Sequence, residues 1–241
     1  MLPVGPEQYD DHVGMSCDLL INANGNSRKY FSLQYPLKDF DLSVASTARS
    51  LFDFNYSCYA YLSSVDVYPC VSDPAQNSED ARIDERQLSH YGFHKFMAEE
   101  LVRHYAPSWL ILRLGGLIGP RLRKNAIYDM LHHLPLRVHP DSAYQYLDTR
   151  IMAKCLFDLY ARGSRDDTIN LAGTGAMALR DVAALIPDFV HKQMENEAPI
   201  ERYEVNTDKA MKLFSLPTTK AMVTSFIQDT LSGQFTQQQE P

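Results

Sequence analysis

Tyr91 and Lys95 stand four positions apart in a stretch, residues 89–105, whose apolar residues recur at helical spacing. Positions i and i+4 lie on one face of a helix, so we expect the Lys95 ammonium beside the Tyr91 hydroxyl. A neighbouring cation favours the phenolate, which predicts a pKa for Tyr91 below the ~10 of a free phenol. With Ser64 upstream at the end of an apolar strand, the pair indicates acid–base chemistry on a carbonyl or an alcohol.

Short apolar runs alternate with stretches of helical periodicity in the first half of the chain. Strands that are apolar on both faces and separated by helices are typical of a parallel sheet covered by helices. After Pro120 the alternation loosens. The predicted strands span residues 18–23, 58–62, 109–112, 136–139, 144–147 and 168–171. The predicted helices span residues 39–55, 89–105, 125–132, 149–162, 179–186, 208–214 and 218–232.

Composition and charge exclude several classes of protein. The chain has 241 residues and a net charge of −7, which argues against a nucleic-acid-binding surface. No run of ~18 apolar residues predicts a membrane span, and the first residues lack the basic and apolar regions of a signal peptide. The four cysteines have neither metal-ligand nor disulfide-framework spacing, so we expect thiols in a reducing cytoplasm and no metal site.

Six segments, in order along the chain, resemble the extended, epimerase/dehydratase-like branch of the short-chain dehydrogenase/reductase superfamily. A lone Tyr-x-x-x-Lys is common by chance among 14 tyrosines, so the ordered set carries the resemblance. The segments are DLLINANG at 18–25, YLSSVDVY at 61–68, YGFHK at 91–95, LRLGGLIGPR at 112–121, YQYLD at 144–148 and INLAG at 169–173.

The resemblance implies an α/β fold: a truncated Rossmann-like parallel sheet with helices on both faces, and a small C-terminal substrate lobe. The Rossmann-like domain would comprise residues 1–122, with 144–172 returning to the sheet. The substrate-binding lobe would comprise residues 123–143 and 173–241.

The same resemblance implies roles for individual residues. Tyr91 would exchange the proton, Lys95 would tune it, and Ser64 would hydrogen-bond the substrate oxygen and polarise it. NAD or NADP would bind along the end of the 18–23 strand and at Lys95, through Asn22, Ala23, Asn24, Gly25 and Lys95. The substrate would contact Ser64, Asp66, Gly116, Arg121 and Arg137, with Arg123, Lys124 and Arg150 as further cations near a sugar-nucleotide diphosphate.

Several of these assignments have a second reading. Asp66 is a lone base or a structural aspartate, because the acidic pair of sugar-nucleotide dehydratases reads Val65-Asp66 here. Arg28 and Lys29 bind a phosphate or occupy a solvated turn, and the Arg121 cluster is a diphosphate site or ordinary surface charge. The run Gly173-Thr174-Gly175 is a structural turn or a phosphate contact.

The Gly-rich turn that holds the cofactor pyrophosphate in this family has no counterpart before residue 18. In a doubly wound sheet, the strand from Asp18 to Ala23 then becomes an edge, and apolar edges invite pairing. We expect the arm before it, a second copy or a partner chain to cover that edge. The alternative is that the natural protein has further sequence there.

Two functions follow as hypotheses. One is an oxidoreductase or epimerase acting on a hydroxyl or carbonyl of a polar small molecule, for which the resemblance implies a sugar nucleotide. The other is a cofactor-less, non-catalytic binding or partner subunit derived from an epimerase/dehydratase.

Overall fold

A computed structural model describes residues 1–187, 189 and 197–234 of the chain. Its contacts divide the chain into two compact units. Unit 1 contains residues 1–69, 82–113 and 158–169, and unit 2 contains residues 70–81, 114–157 and 170–241.

A four-stranded sheet contains β1 Ser16–Asn22, β2 Asn55–Ser64, β3 Trp109–Leu114 and β7 Asp167–Leu171. Its strand order is β1-β2-β3-β7. Strands β1 and β2 are parallel, and their register places Asn22 opposite Tyr61 near the carboxyl ends of both strands. Buried apolar side chains, among them Leu51, Tyr59 and Ile111, form a core in unit 1. The structure therefore confirms the Rossmann-like parallel sheet.

The helices of unit 1 pack beside β1 and β2. One helical stretch runs from residue 36 to residue 53 and contains a π-helical turn at Asp41–Ala45. Such turns widen a helix locally and are frequent at functional sites. The helices are α1 Lys29–Gln34, α2 Pro36–Phe40, α3 Ser46–Asp53 and α4 His90–Tyr105.

Unit 2 contains the strands β4 Gly116–Ile118, β5 Ala143–Tyr144, β6 Tyr146–Asp148, β8 Met177–Ala178 and β9 Arg202–Tyr203. They form two small sheets, one pairing β4 with β6 in parallel and one with the order β8-β5-β9. Its helices are α5 Ala126–Leu131, α6 Thr149–Ala161, which continues into unit 1, α7 Leu179–Ala183, α8 Asp208–Leu213 and α9 Thr219–Leu231.

The loop at residues 70–81 belongs to unit 2 because a fully buried amide fixes it there. The Nδ2 group of Asn77 donates to the carbonyl oxygens of Cys70 and Glu204, each at 3.1 Å. Its Oδ1 accepts from the backbone N–H of Asn206 at 2.8 Å. These bonds satisfy polar groups that would otherwise be buried without partners.

Three sequence expectations differ from the structure. The strand predicted at residues 136–139 is absent: prolines 135 and 140 bracket this segment, and proline supplies no N–H to a strand ladder. The strand predicted at 144–147 is two strands, β5 and β6, separated at Gln145. Lys29, predicted in a turn, begins helix α1.

Strand β1 lies at one edge of the sheet, with β2 as its neighbour in the described part of the chain. The preceding arm folds into two short 3-10 helices, and Gly14 N–H donates to the carbonyl of Asp53 at 2.7 Å. The Asn55 side chain in turn donates to the carbonyl of Gly14. These bonds tie the arm to the start of β2 rather than along the outer side of β1.

Candidate active site

Ser64 and Tyr91 come from the end of a strand and the start of a helix within unit 1. Strand β2 ends at Ser64, and a single 3-10 turn, Val65–Val67, follows it. Helix α4 begins at His90 because the hydroxyl of Ser89 caps it, accepting from the backbone N–H of Gly92 at 3.1 Å. The cap places Tyr91 in the first turn of the helix.

The hydroxyl hydrogen of Ser64 is already engaged inside the protein. Ser64 donates it to Oδ2 of Asp66 at 2.9 Å, while the backbone N–H of Asp66 donates back to the Ser64 oxygen at 3.2 Å. The other carboxylate oxygen, Oδ1, lies 2.7 Å from the Nζ atom of Lys29. A hydroxyl has one hydrogen to give, so in this arrangement Ser64 offers a lone pair to a further group.

Tyr91 is buried, with 7% of its surface exposed, and its pKa lies above the ordinary value. Burial is the largest cause, since it disfavours the phenolate, and the negative charge of Asp66 raises the pKa further. The polar side chain of Ser64 and the positive charge of Lys29 lower the pKa in part, but less than burial raises it. The sequence-based expectation of a lowered pKa is therefore wrong for this structure, because it left out burial.

Lys95 is also buried and lies one helical turn beyond Tyr91. Its Nζ atom donates to the carbonyl oxygen of Leu62 at 3.3 Å and lies 5.2 Å from the centre of the Tyr61 ring. A buried ammonium is costly without such partners. Lys95 therefore faces the end of β2, the same strand that carries Ser64.

The residues expected at a nicotinamide cofactor lie at the end of β1. The side chain of Asn22 is engaged internally: it donates to Tyr59 at 2.6 Å and accepts from the backbone N–H of Asn24 at 2.8 Å. Ala23 and Asn24 are exposed. Gly25 has a φ of +114°, and a Cβ placed on it would lie 3.4 Å from the Nζ atom of Lys95. Gly25 thus packs beside that ammonium, and its positive φ favours glycine.

A buried carboxylate and histidine lie next to this site and were not identified from the sequence. Oδ2 of Asp39 lies 2.6 Å from Nδ1 of His94, and Asp39 is fully buried. Ser43, in the π-helical turn, bonds both the Asp39 carboxylate and the backbone N–H of Asn26. The one available signal was that His94 lies three positions after Tyr91, close to Lys95.

The remaining predicted site residues belong to unit 2. Gly116 pairs with Tyr146 in the β4–β6 ladder, and a Cβ on residue 116 would overlap the Tyr146 ring. The strand pairing therefore explains the glycine. Arg121 and Arg137 are both exposed, and the charge of Arg137 acts on Asp129. Arg150 is paired in a bidentate manner with Asp148, with the shortest N···O distance 2.6 Å.

The Gly-x-Gly run after β7 fits a structural turn. A side chain on Gly173 would overlap the carbonyl oxygen of Tyr146 and the side chains of Met222 and Thr219. Gly175 has a φ of +72°, which favours glycine. Both glycines are thus explained by close packing and turn geometry.

A Rossmann-like sheet that carries a serine at the end of β2 and a Tyr-x-x-x-Lys pair on α4 defines the class of this protein as a short-chain dehydrogenase/reductase fold. Residues 11–143, more than half of the chain, match the family model described as the NAD dependent epimerase/dehydratase family. The chain belongs to that family. A comparison with curated proteins gave no match.

Solved structures agree on the fold. Pal from Bacillus thuringiensis is 18% identical, with 94% of this chain and 79% of that chain covered and a TM-score of 0.71. A UDP-galactose 4-epimerase is 19% identical, with 93% and 81% covered and a TM-score of 0.72. The dTDP-glucose 4,6-dehydratase of Bacillus anthracis, solved with NAD, is 16% identical, with 89% and 73% covered and a TM-score of 0.72.

Two searches of the described residues gave negative results. No helix among them is both long and apolar enough to cross a membrane. No group of three or more histidine, cysteine or acidic side chains there is placed to hold a metal ion.

Proposed function

We propose that this chain performs oxidoreductase or epimerase-type chemistry on a hydroxyl or carbonyl of a polar small molecule, with Tyr91 as the acid/base. The observation that carries the proposal is the buried Tyr91 phenol in the first turn of α4, with Lys95 buried one turn along the same helix and facing the end of β2, the strand that ends at Ser64. The raised pKa of Tyr91 keeps the phenol protonated, so it begins as an acid that can donate to a substrate oxygen.

A nicotinamide cofactor would supply the hydride acceptor or donor. The residues present fit one part of it: the Lys95 ammonium, which can bond hydroxyl groups, lies beside Gly25, and Ala23 and Asn24, just before Gly25, are exposed. Among the described residues we find no Gly-rich turn that fits the pyrophosphate. The dTDP-glucose 4,6-dehydratase structure was solved with NAD, which favours NAD, and NADP stays the alternative.

Sugar nucleotides are the substrate class we propose. The support is the family and the similar solved structures, which include a UDP-galactose 4-epimerase and a dTDP-glucose 4,6-dehydratase. Ser64 and Asp66, both of unit 1, are the groups we propose to contact the reacting sugar.

Turnover of UDP-galactose, UDP-glucose and dTDP-glucose with NAD tests this proposal, with products followed by NMR. Tyr91→Phe removes only the hydroxyl, and we expect it to lower turnover about 100-fold or more. Tyr105→Phe is the matched control because Tyr105 is half-exposed at the far end of α4. An equal rate in wild type and Tyr91→Phe would remove Tyr91 from the mechanism.

A second candidate function is a non-catalytic binding or partner subunit that takes no cofactor. The observation that favours it is the engagement of the Ser64 hydroxyl by Asp66, which leaves no hydrogen for a substrate oxygen in this arrangement. Calorimetric titration with NAD(H) and NADP(H) distinguishes the two. No heat at millimolar cofactor would favour the subunit.

We also propose that further polypeptide, most simply a second copy of the chain, pairs with the outer side of β1 in a cytoplasmic assembly. The support is the edge position of β1 and the four free cysteines. Sedimentation at several concentrations tests it, because a monomer throughout would contradict self-association.

A further inference from the structure

A buried ion pair reaches both ends of the turn that carries Ser64. The Oε1 atom of Glu99 accepts from the Ser63 hydroxyl at 2.6 Å, and Ser63 is the residue before Ser64. The partner of Glu99, Arg113, donates through Nη1 to the Tyr68 hydroxyl at 2.8 Å. The turn lies between these two bonds. We call Ser63, Glu99, Arg113 and Tyr68 the Glu99 network, and all four belong to unit 1.

Both oxygens of the Glu99 carboxylate are engaged inside the protein. Besides the Ser63 hydroxyl, Glu99 accepts from Nε and Nη2 of Arg113 at 3.1 and 2.8 Å and from Nη2 of Arg103 at 2.9 Å. Glu99 and Arg113 are both buried. A buried ion pair often adds little net stability, and one of its attested uses is to select a single arrangement of the chain. In this chain the ion pair holds the two groups that flank the turn.

The turn also has hydrogen bonds of its own. Ser64 Oγ accepts from the backbone N–H of Asp66 at 3.2 Å, and the backbone N–H of Tyr68 donates to the carbonyl of Val65 at 3.1 Å. Both bonds lie within residues 64–68, so they set the shape of the turn and not its place in unit 1. The Glu99 network joins the turn to α4 and to β3, because its ion pair comes from these two elements.

We propose that Ser63 and Tyr68 are positioning residues, which fix the Ser64 hydroxyl at the end of β2 through the buried Glu99–Arg113 pair. The inference rests on the proposed function, in which Ser64 contacts the reacting sugar. Ser63 and Tyr68 are buried and take no part in the reaction themselves. Each holds one end of the turn from inside the protein.

Amide hydrogen exchange, followed by NMR, tests this positioning without any substrate. The Asp66 N–H reports on Ser64, because Ser64 Oγ is its acceptor. The Tyr59 N–H reports on the sheet, because it donates to the carbonyl of Ser108 at 2.9 Å next to a fully buried side chain. A loss of overall stability speeds Tyr59 exchange, whereas a loss of positioning speeds Asp66 exchange relative to Tyr59 exchange.

Two mild substitutions each remove one bond of the Glu99 network. Tyr68→Phe keeps the ring beside Arg113 and removes only the hydroxyl, and Ser63→Ala removes the bond to the carboxylate. Each should raise the ratio of Asp66 to Tyr59 exchange about 5-fold. Ser63→Thr keeps a hydroxyl and should restore the wild-type ratio. Tyr56→Phe is the matched control, since it removes a hydrogen-bonded hydroxyl near the start of the same strand, and it should leave the ratio unchanged.

A double-mutant cycle with Ser64→Ala separates positioning from a general structural role. The reaction is the sugar-nucleotide turnover with NAD described above. Tyr68→Phe should lower kcat about 5-fold when Ser64 is present, because the serine is displaced. In the Ser64→Ala background it should have no further effect, since the group that it positions is gone.

An unchanged ratio of Asp66 to Tyr59 exchange in folded Ser63→Ala or folded Tyr68→Phe would overturn the proposal. An equal fall in kcat with and without Ser64 would overturn it as well. Slow Tyr59 exchange shows that a variant is folded, and one folded variant is sufficient for the test. The exchange measurement needs no turnover, so it decides the proposal even if no substrate is converted. Failure of the positioning is thus distinct from failure of the proposed function, which depends on the Tyr91→Phe rate.

Discussion

Gly92 and Asp66 approach so closely that no side chain fits between them: a Cβ placed on Gly92 would overlap the carbonyl oxygen of Asp66. This contact joins the first turn of α4 to the turn that follows β2. Tyr91 is the residue before Gly92, and Ser64 lies two positions before Asp66. The absence of a side chain at residue 92 therefore allows the first turn of α4, which carries Tyr91, to approach the turn that follows Ser64.

Gly92→Ala should lower the free energy of unfolding by about 2 kcal/mol, because backbone atoms must move to relieve the overlap. The gain of ~1 kcal/mol in helix propensity does not offset this cost. Urea unfolding measures the change. Gly5→Ala is the control, since no atom lies within 4 Å of a Cβ at Gly5. Equal midpoints for Gly92→Ala and wild type would contradict the close contact.

Glu99→Gln should destabilise the chain strongly. Glu99 is fully buried and accepts from Arg113 at 2.8 Å and from Ser63 at 2.6 Å, and Arg113 is itself buried. Removing one partner leaves a buried guanidinium without its counter-charge, at a cost of about 3–5 kcal/mol. Glu100→Gln is the control, because Glu100 is exposed on the same helix. The same loss in both variants would show that the Glu99 pair contributes little.

Stability should fall in acid through Glu99. Burial alone would raise the pKa of this carboxyl, but the charge and hydrogen bonds of Arg113 outweigh burial and lower it from its ordinary value of 4.5. A carboxyl whose pKa is lower in the folded state stabilises it fully above the ordinary value, and loses that contribution as pH falls through the folded pKa. Urea unfolding at decreasing pH should therefore show the wild type approaching Glu99→Gln. A constant difference down to the lowest pH would contradict this.

Asn22→Ala should destabilise by about 1–3 kcal/mol, because it leaves the Tyr59 hydroxyl and neighbouring polar groups buried with fewer partners. Thermal unfolding measures the change. Asn24→Ala is the control: Asn24 is exposed, and only its backbone N–H bonds Asn22. If Asn22→Ala unfolds at the wild-type temperature, the hydrogen bonds of the Asn22 side chain contribute little to the stability of the fold.

The sequence predicted the sheet and the helix that carry the site, because apolar periodicity reports burial directly. The strand at 18–23 and the helix at 89–105 correspond to β1 and α4. It failed at residues 136–139, where the prolines at 135 and 140 prevent a strand ladder from continuing beyond these four residues on either side. It also could not assign Lys29, because the partner of that ammonium, Asp66, lies 37 positions along the chain.

The sequence alone determined the family, the order of the elements and the residue types at the site, since local spacing places Tyr91 and Lys95 on one helix and Ser64 at the end of one strand. Only the tertiary structure decided the protonation of Tyr91 and the direction of the Ser64 hydrogen bond. Both depend on burial and on charges brought together from distant positions, and spacing along a chain carries neither quantity.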